Sequence, residues 1–183
     1  MQQPVSQPER TVRLALYGAS ASSLTYNALR IAFGLCGDWW KIAIVDTTGC
    51  ATRYSHLGMF TTIGLGAPYQ PQRYYDAMEL CEASDMEVVI INTVSPAYNG
   101  LGGVLDQLNE GAYETALKAH RALFSSMRHR LYHVICTATT KARLTCKGRG
   151  LSIVQQPVQQ EGVEKYFDTV LYLDRSNNAT VVK

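Results

Sequence analysis

The 183-residue chain is 46% apolar and carries a formal charge of +2; this suits one globular domain with a sizeable core and excludes any argument for nucleic-acid binding from charge alone. Its five cysteines, Cys36, Cys50, Cys81, Cys136 and Cys146, form no C-x-x-C pair, so neither a disulfide framework nor a zinc site is indicated and a reducing cytoplasm is the expected setting. The opening MQQPVSQPER is polar with two prolines, and no apolar run reaches about 18 residues. Residues 1–11 therefore read as a flexible arm ahead of a domain spanning 12–183, with no membrane span.

Along the chain, VRLALYG (Val12–Gly18) reads as a buried strand. Helical spacing follows in TYNALRIAFGLCG, with Leu29, Ala32, Phe33 and Cys36 on one side and a stop at Gly37. KIAIVD (Lys41–Asp46) is a second buried strand and FTTIGLG a weaker third. PQRYYDAMELCEAS (Pro71–Ser84) starts with proline at a first helical position and places Tyr74, Tyr75, Met78 and Cys81 on its apolar side. EVVIIN (Glu87–Asn92) is the most apolar strand, followed by a Gly/Asn-rich loop from Ser95 to Gly103. AYETALKAHRALFSSM (Ala112–Met127) is an amphipathic helix with Tyr113, Ala116, Leu117, Leu123, Phe124 and Met127 on one side. Strands follow at Tyr132–Ala138, Leu151–Val158, Asp168–Asp174 and Ala179–Lys183. Strands alternate with helices as far as Ala138, and only strands come after it. The expected fold is α/β, a mainly parallel sheet flanked by helices with an antiparallel C-terminal tail of strands.

The first strand-to-helix junction, YGASASSLTYNAL, sits where a phosphate-binding loop would. A Walker A loop is G-x-x-x-x-G-K-[ST]: its glycines let N–H groups wrap the phosphates, its lysine neutralises the β and γ oxygens, and its hydroxyl holds Mg²⁺. Gly18 fills the first position and Thr25 the last, but Ser23 replaces the second glycine and Leu24 the lysine. On its own this match is equally a serine-rich turn capping a helix.

Further segments occur in a specific order: KIAIVDTTGCATRYSHLGMF, PYQPQRYYDAME, EVVIINTVSPAYNGLGGVLD, YHVICTATTK, and QQPVQQEGVEKYFDTVLYLD ahead of NNATVVK. Together, over about Arg13 to Lys183, they closely resemble the phage RecA-like ATPases, the single-domain "AAA family ATPase" proteins linked to single-strand annealing and recombination. The resemblance implies a RecA-like P-loop NTPase fold. It implies a nucleotide site at Gly18, Ala19, Ser20, Ala21, Ser22, Ser23, Leu24 and Thr25, with ATP and Mg²⁺ as weakly held ligands, and a metal contacted by Thr25 and the Asn92 carbonyl oxygen. It also implies assembly with copies of itself or with an active relative.

The functional positions depart from that family's pattern. Where its second strand ends D-T-E, this chain has Asp46-Thr47-Thr48, so the acid that orients attacking water is Thr48. Where its Walker B strand ends I-D-S, Ile91-Asn92-Thr93 puts an amide in place of the Mg²⁺-side carboxylate. Thr139 takes the place of an arginine two residues before Lys141, and Gln160 that of the arginine in V-Q-R-x-G. The scaffold matches while the charged positions do not, which is the pattern of an abandoned hydrolytic site. A charged hydrogen bond is worth about 1.5–3 kcal/mol, so losing the lysine costs about 10–100-fold in binding. Losing one group that stabilises developing charge costs about 10²–10³ in rate.

Other candidates are weaker. TKARLTCKGRG (Thr140–Gly150) holds Lys141, Arg143, Lys147 and Arg149, which suits a mobile basic loop contacting single-stranded DNA; an exposed hairpin with solvated charges is the plain alternative. Tyr98 is a loop aromatic that could face DNA or pack in a turn. His129 and His133 are four apart, but His133 falls in a strand, so a shared metal is not expected. Ser20, Ser22 and Ser23 lack a base partner, Cys50 sits in a glycine-flanked turn, and Trp39 and Trp40 suit a core edge or a subunit contact. The expected role is non-catalytic: a nucleic-acid- or partner-binding module in phage or mobile-element DNA recombination. The competing expectation is a working ATP-dependent recombination or annealing ATPase with a non-standard loop; a purely structural protein is the third.

Overall fold

The computed structural model describes residues 11–19, 22–108, 111–147 and 150–183. Eight strands lie in it: β1 (Arg13–Gly18), β2 (Ile42–Asp46), β3 (Thr61–Gly64), β4 (Val88–Asn92), β5 (His133–Lys147), β6 (Gly150–Pro157), β7 (Thr169–Leu173) and β8 (Ala179–Val181). The helices are α1 (Leu24–Cys36), α2 (Pro71–Ala83), the single turn α3 (Pro96–Asn99) and α4 (Tyr113–Met127). Among the described residues the sheet runs β3-β2-β4-β5-β1-β7-β8, with β6 paired to β5. Every pairing is parallel except β5–β6 and β7–β8.

The continuous apolar runs have a simple cause. Successive side chains on a strand point to opposite faces, and both faces of this sheet are covered by helices. Leu14 and Leu16 of β1, Ile42 and Ile44 of β2, and Val88 and Ile90 of β4 form one core with Leu24, Ala28, Leu29 and Ala32 of α1. Ala15 and Tyr17, Ala43 and Val45, and Val89 and Ile91 form the other, against α2 and α4. Phe33 and Cys36, expected inside, only border the α1 core. Tyr75 of α2 is also outside: it is 37% exposed and lies beneath the Arg130 guanidinium, 4.8 Å from the ring centre. His120 of α4, not expected in the core, is fully buried.

Three local features were left open by the sequence or extend beyond its bounds. Strand β5 does not end at Ala138 but runs on to Lys147, and beyond the sheet it pairs antiparallel with β6 from Thr140↔Pro157 to Lys147↔Gly150. Of the two readings of this segment, basic loop or exposed hairpin, the hairpin is the one formed: 140–147 is strand, with Lys141 and Arg143 alternating with Ala142 and Leu144. The loop holding Tyr98 contains α3, and Tyr98 stacks at a tilt on His120, 5.6 Å between ring centres. Trp39 stacks on Phe33 at 4.7 Å, whereas Trp40 is 66% exposed. Four cysteines, Cys36, Cys50, Cys81 and Cys136, are free thiols. No helix among the described residues is long and apolar enough to cross a membrane.

Strand order positions the site. The parallel strands β1, β5, β4 and β2 are neighbours; the carboxyl ends of β1, β4 and β2 bring Gly18, Asn92 and Asp46 to one rim of the sheet, where β5 passes through Thr139 on its way into the ribbon. The chain leaves β1 through α1 on one face and returns to β5 through α4 on the other. Crevices at such reversals, outside the carboxyl ends of strands, are where open α/β sheets bind ligands.

Candidate functional site at the carboxyl ends of the central strands

A cleft of about 370 Å³ opens at this rim, between the β1–α1 turn, the segment after β2 and the ends of β4 and β5. On the β1 side, Gly18 is a glycine for steric reasons: a Cβ there would lie 2.2 Å from Ser22 Oγ and 2.8 Å from the Leu173 carbonyl oxygen. The Ala19 carbonyl accepts from the Ser22 N–H (3.0 Å) and hydroxyl (2.7 Å), turning the chain toward α1. Ser20 and Ala21 lie outside the described residues. Ser23, at the position where the motif carries its second glycine, is left-handed at φ 52°, ψ 33°. The backbone shape that favours glycine is therefore kept by a residue that adopts it at some cost. Ser23 makes no side-chain cap, so the first-turn N–H groups of α1 are not closed off by it. Leu24, in the lysine position, is buried in the α1 core.

The centre of the site is Asn92. Its Oδ1 accepts from the Thr25 hydroxyl (3.1 Å) and the Thr137 hydroxyl (3.0 Å). Its Nδ2 donates to Asp46 Oδ1 (3.1 Å) and Thr48 Oγ1 (3.2 Å). An amide has two acceptor lone pairs and two donors, so every hydrogen-bonding capacity of this fully buried side chain is used inside the protein. The Asn92–Thr93 peptide is cis.

Asp46 is the buried charge of the site, 4% exposed. Its Oδ1 also accepts from the Thr48 N–H (2.9 Å) and hydroxyl (2.6 Å), and its Oδ2 from the Ala51 N–H (2.8 Å). Burial by itself would raise the carboxyl pKa; the hydrogen bonds from Thr48, Ala51 and Asn92 outweigh it and hold the group below the usual carboxylate range. Thr47 ties the strand ends together, accepting from the Thr93 N–H at 2.9 Å. Thr139 donates its N–H to Ser95 Oγ at 3.0 Å.

The expected site residues are thus partly gathered. Ala19, Ser23, Leu24, Thr25, Thr48 and Asn92 all line the cleft; Gly18 and Ser22, in the same turn, do not. Thr48 does not stand free to orient water, because its hydroxyl donates to Asp46 and accepts from Asn92. A cation at Asn92 would have to displace a hydroxyl from its oxygen. The Thr25 oxygen, which donates its proton to Asn92, keeps lone pairs for a ligand. No cluster of three His, Cys, Asp or Glu side chains suited to a metal occurs among the described residues. Asp46 and Thr137 were not anticipated as site residues, nor were Arg53 and Tyr54, which border the cleft.

The expected DNA contacts lie elsewhere. Lys141 and Arg143 are exposed and occupy one face of the β5–β6 ribbon, and Arg143 Nη1 donates to Gln156 Oε1 at 3.0 Å. Lys147 contributes its backbone to β5, and Arg149 lies outside the described residues. Gln160 faces Arg121 of α4 and not the cleft. His129 lies in the turn after α4, and His133 accepts from the Val12 N–H at 2.9 Å, so they share no face. No protein-family model matches the chain, and no curated protein matches it either.

Proposed function

We propose that this chain is a RecA-like NTPase-type domain that has kept its scaffold and lost nucleotide hydrolysis, and that it serves as a nucleic-acid- or partner-binding module in DNA recombination. The observation that carries this reading is the saturated Asn92 amide. At the strand end where a hydrolase needs a carboxylate with lone pairs free for Mg²⁺, both Asn92 Oδ1 lone pairs are taken by Thr25 and Thr137. The buried Leu24 supports it: the side chain in the lysine position belongs to the α1 core. Two further features support descent from a nucleotide site. Strand β5 lies between β1 and β4, so the Gly18 turn and Asn92 face one cleft. Ser23 holds a glycine-like conformation.

The nucleic-acid part rests on the β5–β6 ribbon. It extends the sheet beyond Thr139 and presents Lys141 and Arg143 on one face, the arrangement that lets a two-stranded ribbon follow a phosphate backbone. Fluorescence anisotropy with labelled single-stranded DNA tests it. Binding is expected to weaken with salt and to weaken further, at all sequences, in Lys141→Ala with Arg143→Ala. Binding unchanged by salt and by the double substitution would overturn the nucleic-acid assignment and leave a protein partner as the reading.

A further inference from the structure

One edge of the sheet is β8, which pairs on one side alone, with β7. The hydrogen bonds fix which of its backbone groups face outward. The Val182 N–H donates to the Val170 carbonyl at 2.8 Å, and the Asp174 N–H donates to the Asn178 carbonyl at 3.1 Å. Bonded pairs alternate along an antiparallel ladder, so Asn178, Thr180 and Val182 turn their peptide groups toward β7. The N–H and carbonyl groups of Ala179 and Val181 therefore point away from the sheet, and they meet no partner among the described residues.

Such an edge is a template for a further strand unless charge, proline, a bulge or a covering loop guards it. Residues 178–182 read Asn-Ala-Thr-Val-Val, without charge or proline. All five are exposed, Val181 by 69% and Val182 by 60%. The Lys183 ammonium beside them is turned back onto its own fold, donating to the Glu164 and Phe167 carbonyls at 3.0 and 2.7 Å.

The outward pattern is self-complementary about one residue. A twofold axis at Thr180 sets Ala179 opposite the Val181 of a second copy, and all the outward groups are then used in two bonded pairs. An axis at Ala179 would set Val181 opposite Asn177, which lies outside the strand in the left-handed region at φ 62°. An axis at Val181 would set Ala179 opposite Lys183, whose carbonyl already accepts from the Val170 N–H at 3.0 Å. With the axis at Thr180, the two Thr180 side chains meet in the close non-bonded pair, a favourable threonine pairing. Val181, opposite Leu171 on the α1 side, packs across the axis against Ala179. On the other side Val182 and Tyr172 border one groove with Ile153 of β6, so the apolar surface of the edge continues onto the ribbon.

We infer that β8 is a homodimerisation edge, at which two copies of this chain join their sheets antiparallel across Thr180. The inference uses neither the Asn92 cleft nor the proposed loss of hydrolysis. Because the same edge serves both copies, the assembly closes at two.

Sedimentation velocity at micromolar to sub-millimolar concentration is expected to show monomer passing to dimer and no further. Amide hydrogen exchange locates the contact: protection should rise with concentration at Ala179 and Val181 more than at Thr180 and Val182, which β7 already holds. Val181→Pro removes an outward N–H that β7 does not use, and Thr180→Lys sets like charges opposite each other. Each is expected to weaken dimerisation at least about tenfold. The Thr180 variants change an exposed side chain and should keep the parent circular dichroism spectrum. An equimolar mixture of Thr180→Lys and Thr180→Glu is expected to recover the dimer that neither forms alone. A monomer at every concentration, association indifferent to both Val181→Pro and Thr180→Lys, protection that rises at β3 instead, or a mixture that stays monomeric would each overturn the assignment.

Discussion

Replacing Asn92 by aspartate puts at this strand end the acid that a hydrolytic site would carry, and the structure states what that costs. The Asn92 amide nitrogen lies 3.1 Å from Asp46 Oδ1. A carboxylate oxygen there converts an attraction into a contact between like charges, about 5 kcal/mol at that separation and an effective dielectric of about 20. The pair has one escape, to share a proton, which costs about 1.4 kcal/mol for each pH unit above the ordinary carboxyl value of about 3.9. The cost is then about 3 kcal/mol near pH 6 and reaches its ceiling of about 5 kcal/mol near pH 8. The sign follows from linkage. One carboxyl of the folded variant has a raised pKa, so the folded state holds a proton that the unfolded chain releases, and stability falls as pH rises above about 4. At about 2–4 °C per kcal/mol for a chain of this size, Asn92→Asp melts at least about 6 °C below the parent near neutral pH. The gap closes toward pH 4, and millimolar Mg²⁺ narrows it in the variant while leaving the parent unmoved. Thermal denaturation followed by circular dichroism across pH, with and without Mg²⁺, is the assay. A variant as stable as the parent near pH 8 without metal would refute the reasoning, because Asn92 would then not be the neutral bridge between Thr25, Thr137 and Asp46.

Other predictions use the same geometry. Asp46 is held below the usual carboxyl pKa, so its stabilisation is present above about pH 4 and is lost as pH falls through the folded value; Asp46→Asn should flatten that part of the acid-unfolding curve. His120 is pushed down to about 4 by burial, so stability should fall as pH drops from about 6.5 toward 4, and urea midpoints at the two ends should differ less in His120→Gln. Gly18→Ala sets a Cβ 2.8 Å from the Leu173 carbonyl oxygen and should cost about 1–3 kcal/mol in urea unfolding. Ser23→Gly should be neutral or stabilising by up to about 1 kcal/mol, whereas Ser23→Val, β-branched at a left-handed position, should lose about 1–2 kcal/mol.

Much of the architecture was legible because parallel strands covered on both faces leave uninterrupted apolar runs. IAIVD and VVIIN are unambiguous in that respect. The ribbon was legible as one of two readings, a basic loop or an exposed hairpin, and the antiparallel pairing of β5 with β6 is the hairpin; the alternation of Lys141 and Arg143 with Ala142 and Leu144 carried the strand signal. The departures from the Walker pattern that the sequence resembles were visible one residue at a time. The network they form was not: Thr25, Asp46, Asn92 and Thr137 come from four separate elements and meet only through the strand order. Whether the Asn92 amide is an idle acceptor or a saturated one is a property of that meeting. The same holds for Ser23, whose identity departs from the motif while its backbone conformation keeps to it.

The most direct measurement is steady-state phosphate release from ATP by the purified protein, with Mg²⁺ and with and without single-stranded DNA. A site whose metal-side residue is a fully bonded amide should give no release above that of Thr25→Ala under either condition. Release that requires Mg²⁺ and disappears in Thr25→Ala would contradict the account.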